Sequence, residues 1–494
     1  MGKPSEAPEN PDNWDMSISP APGLSTLALE DQALSPLDGR YRPQTAPLAA
    51  FLSEGALNRA RLYVEVEWLI FSVNSGIYPG VAALSESDVE YLRRLPSTFG
   101  PEHRAHLAQI EAKTRHDVKA VEYLLREHLE AGPGALPQLL ELVHVFCTSE
   151  DINNLSYALC VKGAVTEVWR PAAERLRDHL TDMANEYANI AMLSRTHGQT
   201  ATPTTLGKEL AVFSYRLSRQ LQHLGAIEYL GKFNGATGTF SAHVVALPQV
   251  NWAQLSRNFV EHLGLTWNPL TTQIESHDWM AELFAVVAHF NRIAHNLATD
   301  CWTYISLGYF HQNLAAQGTT GSSTMPHKVN PIRFENGEAN LELSNALLDA
   351  LSQTLVTTRL QRDLTDSTTQ RNIGSALGYS LLALENIDGG LAGVEADANL
   401  ILADLQDRWE VLGEAVQQVL RVAVAQGTEL DGSPYEQLRD LTRGQGITAE
   451  SMREYIAGLP LTGEVRERLL RLTPETYIGV APELLQFLGT PGGV

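Results

Sequence analysis

A helical repeat of apolar residues over 277–307 constrains the fold of this chain more than any other feature. Apolar side chains recur there at spacings of three and four residues over many turns, at Met280, Leu283, Phe284, Val287, Phe290, Ile293, Leu297, Cys301 and Ile305. This spacing places them along one face of an α-helix. The segment therefore predicts a single long helix that is buried along much of its length.

Three further segments share the helical pattern. One runs from about 336 to 358, and a second from about 367 to the Asp-Gly-Gly of 388–390, where we expect the helix to break. The third covers 151–187, where Pro171 predicts a kink or a break. Most of the chain after its amino-terminal tail is therefore predicted to be helical.

Few segments alternate with the period of two that strands require. The best candidate for irregular or short hairpin structure is "FNGATGTFSAHVVALP", residues 233–248. The predicted fold class is all-α. Because long helices are usually stabilised by packing side by side, we expect a helix bundle, and apolar surface on more than one face predicts a homo-oligomer.

A chain of 494 residues is long enough for several domains. Glycine and proline near 132–134, and the glycine pair at 389–390, are the candidate boundaries. The first residues are rich in Pro, Ser, Glu and Asn and lack the pattern of a targeting signal. We therefore expect a disordered tail over 1–30, a helical domain over 31–133, a central bundle domain over 134–390 and a helical C-terminal domain over 391–494.

The charge balance makes nucleic acid an improbable partner. The 36 Lys and Arg residues stand against 58 Asp and Glu, a net charge of −22 at pH 7, which repels phosphate backbones in the absence of a segregated basic patch. No run of about 18 apolar residues predicts a membrane span. The three cysteines are widely spaced without a C-x-x-C pair, which argues against disulfides and zinc and favours the reducing cytoplasm.

Two polar stretches between helices carry candidate chemistry. In "HVFCTSEDINN", residues 144–154, Thr148 or Ser149 can cap the helix that follows; the same hydroxyls and N–H groups also suit a bound carboxylate. In "LSRTHGQTATPTTLGKE", residues 193–209, His197 lies among hydrogen-bonding side chains. It is either a structural histidine or one that exchanges a proton near neutral pH.

A third stretch, "GTTGSSTMPHKVNPIRFENGE", covers 318–338. Its glycines and hydroxyl residues offer many backbone donors, Lys328 adds a positive charge, and Asn330 adds a neutral amide. Glu335, at the start of the next helix, can pair with a histidine and hold its tautomer. The alternative interpretation is a mobile surface loop, which leaves the Met-Pro-His-Lys sequence unexplained.

A fourth stretch, "TTRLQRDLTDSTTQRN", is the basic exception in an acidic chain. It covers 357–372 and brings Arg359, Arg362 and Arg371 close to Ser367 at a predicted helix start. Arginines beside a helix N-terminus favour a phosphate pocket, whereas the alternative is a solvated helical face.

Taken together, the first three stretches resemble the signature regions of the fumarase/aspartase superfamily, at "TSEDINN", "SRTHGQ" and "GSSTMPHKVNP". Within it, "SPLDGRY", "RHDVKAVEY", "TTQIESHD" and "RDLTDST" are similar to the adenylosuccinate lyase family, and the similarity runs from about Leu34 to the C-terminus. The resemblance implies a three-domain fold whose central helices form the core of a homotetramer with shared active sites. It also implies β-elimination of fumarate from succinyl-nucleotide substrates: adenylosuccinate, giving AMP, and SAICAR, giving AICAR.

The resemblance assigns a role to each candidate. Ser322 is the general base, with Ser323 as the alternative, and the loop that carries them acts as a lid. His197 is the general acid, oriented by Glu335. Lys328 and Asn330 stabilise the carbanion as a dianion. The implied substrate-binding residues are Thr148, Ser149 and Gln273 for the succinyl carboxylates, Arg40, Tyr41, Arg362, Ser367 and Arg371 for the phosphate, and His116, Asp117 and Asn336 for the nucleotide.

No metal or organic cofactor is implied, because the acid, the base and the anion-stabilising groups are side chains or backbone amides. Two positions depart from the family pattern, Thr200 after "HGQ" and Arg333 after "NPI", and neither is a proposed catalytic group. The competing interpretations are another elimination or cycloisomerase enzyme of the superfamily and a non-catalytic protein that keeps the bundle. Retention of His197, Ser322, Lys328 and Glu335 together argues against the last.

Overall fold

The computed structural model describes residues 33–313, 328–434, 436 and 447–489. Helices dominate this part of the chain, which confirms the predicted all-α class. In chain order they are α1 Arg42–Leu52, α2 Glu54–Asn74, α3 Glu86–Ser97, α4 Pro101–Thr114, α5 Asp117–Glu130, α6 Ser149–Gly163, α7 Arg170–Glu186, α8 Leu206–Gly225, α9 Ser241–Ala246, α10 Trp252–His262, α11 Asp278–Leu307, α12 Ile332–Leu355, α13 Thr365–Gln370, α14 Ile373–Leu391, α15 Ala398–Gln406, α16 Gly413–Ala425, α17 Ala449–Gly458 and α18 Gly463–Leu470.

The described strands are short and form two-stranded pairs. An antiparallel hairpin joins β1 (Ala191–Thr196) to β2 (Gln199–Thr205). A parallel pair joins β3 (Leu230–Gly231) to β4 (Thr266–Trp267), and an antiparallel pair joins β5 (Phe310–Gln312) to β6 (Val394–Ala396). The segment 233–248, predicted to be irregular or a short hairpin, is irregular up to residue 240 and then carries the short helix α9, while the longer hairpin lies at β1–β2.

A bundle of long helices forms the centre of the molecule. Helix α12 packs on both α11 and α14, α8 packs on α7 and α11, and α7 packs on α14. Helix α11 has 30 residues and spans about 45 Å at 1.5 Å per residue. Helices α11 and α12 run antiparallel, as their paired side chains show: Asn291 with Asn345, His295 with Glu342, Thr299 with Glu338, and Trp302 with Glu335.

The glycine pair at 389–390 does not break its helix, contrary to the sequence prediction. Helix α14 continues through both glycines to Leu391. A Cβ at Gly390 would lie 2.9 Å from Cζ of Phe334, and a Cβ at Gly389 would lie 2.5 Å from Arg333 Nη1. These glycines therefore let the start of α12 approach α14 closely, and the packing outweighs their low helix propensity.

Pro171 also leaves the helical path intact. Helix α6 passes through a π-helical turn, Ala164–Trp169, directly into α7, and Pro171 lies in the first turn of α7. Proline has no N–H to donate and its ring crowds the preceding turn. Instead of the kink or break that the sequence predicted, the helical path contains a π-helical turn just before Pro171.

Two apolar clusters hold the described residues together. The larger one is continuous through the N-terminal helices and the central bundle. The smaller one lies among the C-terminal helices and includes Leu193 of strand β1. The domain limits proposed from the sequence stay a prediction. None of the described helices is both long and apolar enough to cross a membrane.

A close approach of two backbones at Gly207 generates the first prediction. A Cβ there would lie 2.3 Å from the carbonyl oxygen of Ala184 and 2.6 Å from Cα of Ala188. Replacing Gly207 by Ala should therefore lower the free energy of unfolding by at least the roughly 1–3 kcal/mol of ordinary overpacking, because backbone cannot move aside as a side chain can. Chemical denaturation measures this loss.

Gly225→Ala is the matched control, since it lies at the end of the same helix α8 and its added methyl meets nothing within 4 Å. This change should be neutral or slightly stabilising. Equal losses for the two substitutions would contradict the explanation by close approach.

Candidate active site

A pocket of about 530 Å³ opens where the start of α5, the start of α6 and the segments around 273 and 362–371 meet. We call it the main pocket. Eight of the twelve residues predicted to bind substrate line it: His116, Asp117, Thr148, Ser149, Gln273, Arg362, Ser367 and Arg371. Segments that lie up to 255 residues apart in the sequence are thus brought to one cavity.

Arg362 is the centre of one side of the main pocket. Its Nη1 donates to Gln273 Oε1 at 3.3 Å, and its Nη2 donates to Ser367 Oγ at 3.2 Å. The same Nη2 lies 2.8 Å from Glu150 Oε1, and Glu150 also accepts from Asn153 Nδ2. The guanidinium therefore holds Ser367, which was predicted to bind the phosphate, and Gln273, which was predicted to lie by the succinyl carboxylates, in one arrangement.

A second cluster of charges lies across the pocket around Asp117. Arg61 Nη2 is 2.7 Å from Asp117 Oδ2, and Arg371 Nη2 is 3.5 Å from the same oxygen. Burial alone would raise the pKa of Asp117, but the charge of Arg61 and the N–H of Val118 outweigh it and hold the pKa below its ordinary value. Asp117 is therefore an anion near neutral pH, and it orients two arginines.

The start of α6 is held in place by a fully buried ion pair. Lys232 Nζ lies 2.9 Å from Asp151 Oδ1, and both side chains are 0% exposed. The carboxylate also accepts from the backbone N–H groups of Thr148, Asn234 and Gly235. Thr148 is the N-cap residue of α6, as the sequence allowed. Its position and that of Ser149 therefore depend on Asp151.

Sequence reasoning missed seven residues that line the main pocket: Arg61, Glu111, Arg115, Asn153, Tyr157, Leu364 and Thr368. Arg61 had a usable signal, because it is an arginine within the largely apolar repeat of α2 and is only 4% exposed. Buried arginines are rare without partners. Arg115 and Thr368 directly adjoin predicted residues, whereas nothing in the sequence singled out Glu111 or Tyr157.

His197 lies at the tip of the β1–β2 hairpin, away from the main pocket. His197 and Gly198 form its two-residue turn, with φ values of 53° and 74°. Positive φ at both positions is typical of the type I′ turn, and histidine is among the residues that adopt positive φ more readily than most. Arg195 fixes the hairpin, since it contacts Asp404 and donates from Nη1 to the hydroxyl of Tyr309 at 3.0 Å.

The remaining predicted residues lie at the N-terminal end of α12. Glu335 Oε1 accepts from Trp302 Nε1 at 3.1 Å, near the C-terminal end of α11. Asn336 Nδ2 donates to the Tyr41 hydroxyl at 3.3 Å. Arg40 lies 5.8 Å from the ring of Tyr41, and Lys328 and Asn330 immediately precede α12. Ser322 and Ser323 lie outside the described residues.

The predicted site residues therefore fall into two groups at opposite ends of the bundle. The main pocket adjoins the N-terminal end of α11, and the hairpin of His197 contacts Tyr309 just beyond its C-terminal end. Asp278 and Trp302 are separated by about 36 Å along the helix. Glu335 contacts Trp302, so within one chain Glu335 and the predicted acid His197 lie at the end of the bundle opposite the main pocket.

Family models match most of the chain. Residues 39–343 match the model described as "Lyase", and residues 358–478 match the model described as "Adenylosuccinate lyase C-terminal". The adenylosuccinate lyase of Escherichia coli (strain K12) is 47% identical over 449 residues, which cover 91% of this chain and 97% of that protein. The adenylosuccinate lyase of Haemophilus influenzae is 46% identical over 465 residues, covering 94% and 99%.

Solved structures support the same fold. The fumarate lyase from Mesorhizobium sp. BNC1 has a TM-score of 0.70 at 18% identity, covering 90% of this chain and 97% of that one. The 3-carboxy-cis,cis-muconate lactonizing enzyme from Pseudomonas putida has a TM-score of 0.66 at 21% identity, covering 90% and 96%. This chain thus shares the long-helix bundle of these two enzymes, and its match to the "Lyase" model over more than half of its length makes it a lyase of that class. Within that class, the chain belongs to the adenylosuccinate lyase family.

The buried pair at the start of α6 leads to a second prediction. Asp151→Asn should lower the free energy of unfolding by about 3–5 kcal/mol, because it leaves the Lys232 ammonium buried without its carboxylate. Chemical denaturation measures the loss. Glu261→Gln is the matched control, since its pair with Arg257 is about half exposed and should contribute no more than about 1 kcal/mol. A loss for Asp151→Asn as small as that of the control would contradict the role of the buried pair.

Proposed function

We infer that this chain is an adenylosuccinate lyase that removes fumarate by β-elimination of a C–N bond. Its substrates are adenylosuccinate, which gives AMP, and SAICAR, which gives AICAR. The observation that carries this inference is the convergence of Arg362, Gln273 and Ser367 beside Thr148 and Ser149 in the main pocket. Family membership supplies the reaction class, and this cluster supplies groups for the two anionic ends of a succinyl-nucleotide.

The two ends of the substrate need different partners. A phosphate suits the arginine side of the main pocket, where Arg362 and Arg371 supply charge and Ser367 supplies a hydroxyl. The succinyl carboxylates suit the N-terminal end of α6, where Thr148 and Ser149 offer hydroxyls at a helix N-terminus. A substrate without phosphate, such as that of a fumarase, would have no group to bind Arg362 and Arg371, which favours a nucleotide substrate.

The elimination itself needs an acid, a base and a stabilised carbanion. Ser322, or Ser323 beside it, acts as its alkoxide: it takes the proton from the succinyl carbon next to the carboxylate and becomes the hydroxyl, and the negative charge spreads onto that carboxylate. Lys328 and Asn330 stabilise the resulting dianion. His197 then protonates the departing nitrogen as the C–N bond breaks, with Glu335 orienting its ring. No metal or organic cofactor takes part in this scheme.

The separation of the two groups of residues supports a site built from several copies of the chain. Because α11 is a continuous helix, its two ends cannot approach each other within one chain. Apolar side chains exposed on α11 and α12, Trp302, Leu307, Ile332 and Leu343, offer a surface for further copies. A homotetramer with shared active sites therefore completes the proposal. The cytoplasm is its proposed location, in keeping with three free cysteines.

The reaction gives a direct prediction. Purified protein should convert adenylosuccinate to equal amounts of AMP and fumarate, detected by ultraviolet absorbance and confirmed by chromatography. His197→Gln should lower kcat at least about 100-fold, the smaller end of what a general acid contributes, with little change in KM. His106→Gln, in an exposed pair with Glu127, is the matched control and should keep normal turnover. Normal turnover by His197→Gln would remove its assigned role.

Mixing inactive variants tests the shared site. His197→Gln and Arg362→Gln disable opposite ends of the chain. After subunit exchange at equal amounts, about a quarter of sites should combine two intact halves and recover activity. A mixture of Arg362→Gln with Ser367→Ala is the control, because both changes lie in the main pocket and no exchange restores it. Absence of recovery in the first mixture, despite demonstrated exchange, would exclude the shared arrangement.

A further inference from the structure

A buried histidine lies between two carboxylates next to the main pocket. His277 is 1% exposed; its Nδ1 lies 3.9 Å from Glu275 Oε2 and its Nε2 lies 3.6 Å from Asp366 Oδ2. Both carboxylates are buried as well. We call Glu275, His277 and Asp366 the buried triad. None of the three has a role in the reaction scheme above.

Packing alone does not account for the buried triad. Neither ring nitrogen of His277, nor Asp366 Oδ2, has a hydrogen-bond partner among the residues that the structure describes. Buried carboxylates are unfavourable unless they are paired or hydrogen-bonded. Glu275 and Asp366 each accept one backbone N–H, and both face the imidazole of His277. His277 is therefore placed to serve both carboxylates.

The buried triad joins two segments of the main pocket. His277 ends the segment that carries Gln273, and its backbone N–H donates to Glu275 Oε2 at 2.8 Å. Asp366 Oδ1 accepts from the backbone N–H of Ser367 at 2.6 Å. A displacement of Asp366 would consequently displace Ser367, whose hydroxyl accepts from Arg362.

Other hydrogen bonds flank His277 in the two segments that the buried triad joins. Asn268 Nδ2 donates to Glu275 Oε1 at 2.8 Å, and Thr272 Oγ1 donates to the carbonyl of Gln361 at 2.8 Å. These bonds fix the outer parts of the two segments. His277 is the side chain that faces a carboxylate from each of them.

We propose that His277 is a positioning residue that holds Asp366, and through it Ser367 and Arg362, in the geometry that receives the phosphate of the substrate. This inference rests on the proposed function, whose phosphate side it deepens. The state of Asp366 supports it. Burial would raise the pKa of Asp366, but the contact with His277, the Ser367 N–H and the charge of Arg362 hold it below the ordinary value.

The test compares ligands with and without phosphate. For His277→Gln we expect the inhibition constant of AMP to rise at least about tenfold, the scale seen when outer hydrogen-bonding partners of metal ligands are removed. The inhibition constant of adenosine should change much less, and KM for adenylosuccinate should rise more than kcat falls. A merely structural role would weaken AMP and adenosine alike, and that outcome would overturn the proposal.

Controls separate positioning from general damage. His179→Gln removes another histidine that pairs with an aspartate, Asp388, between α7 and α14, and should leave the AMP-to-adenosine ratio unchanged. Combining His277→Gln with Ser367→Ala should weaken AMP little more than Ser367→Ala alone, since both act on one contact. Fully additive losses would contradict positioning through Ser367.

The same design distinguishes this inference from the proposed function. If the wild-type protein bound AMP but did not cleave adenylosuccinate, the proposed reaction would be wrong. Calorimetric titration of AMP into the wild type and into His277→Gln would still test the role of His277. If His277→Gln did not fold, Asp366→Asn breaks the same contact from the other side and should shift the same ratio. A normal AMP-to-adenosine ratio in folded Asp366→Asn would overturn the proposal.

Discussion

The ion pair between Asp151 and Lys232 is the interaction on which the site depends most. Removing two charges fully from water is costly. The pair is stable because the Asp151 carboxylate is fully paired, with one ammonium and three backbone N–H groups. Those N–H groups belong to the start of α6 and to the turn at 234–235. This turn also contacts the segment that carries Gln273, since Asn234 Nδ2 donates to Thr271 Oγ1 at 2.7 Å. The main pocket is built outward from this pair.

Rigid helices then determine how the proposed site is completed. A helix such as α11 keeps its ends about 45 Å apart whatever happens at either end. The phosphate side and the acid side of the proposed site are attached to those opposite ends, so a folded single chain holds two incomplete halves. In this scheme catalysis requires several copies of the chain to associate. A substitution on an exposed apolar face of α12 would therefore lower activity by weakening that association.

Sequence periodicity predicted the long helices well, because spacings of three and four report burial directly. The helix predicted over 277–307 is observed as Asp278–Leu307. Gly389 and Gly390 misled the prediction, because a glycine serves both as a helix breaker and as a place where two helices approach closely, and only the neighbouring Phe334 distinguishes these uses. Local sequence cannot report a contact with a residue more than 50 positions away.

The residues that the sequence singled out and those that it missed differ for a related reason. Motifs such as "TSEDINN" contain both residues that face the cavity and residues that fix them, and the resemblance to a family selected the former. The fixing residues depend on partners elsewhere: Asp151 on Lys232, and Glu150 on Arg362. Arg61 was missed although its carboxylate partner Asp117 was predicted, because the two lie on different helices whose packing the sequence does not specify.

The two halves of the proposed site also differ in how they are built. Thr148, Ser149, Gln273 and Arg362 are held by buried polar contacts on the helical core, whereas His197 occupies a hairpin tip with positive φ, a conformation that costs a non-glycine residue about 1–3 kcal/mol when it is strained. A side chain on a helix within the bundle cannot extend beyond it, but a hairpin tip can. Arg195, Asp404 and Tyr309 oppose that cost by fixing the hairpin next to its tip. The hairpin tip thus places His197 where the proposed mechanism requires an acid that reaches another copy of the chain, and the positive φ of His197 is the cost of that position.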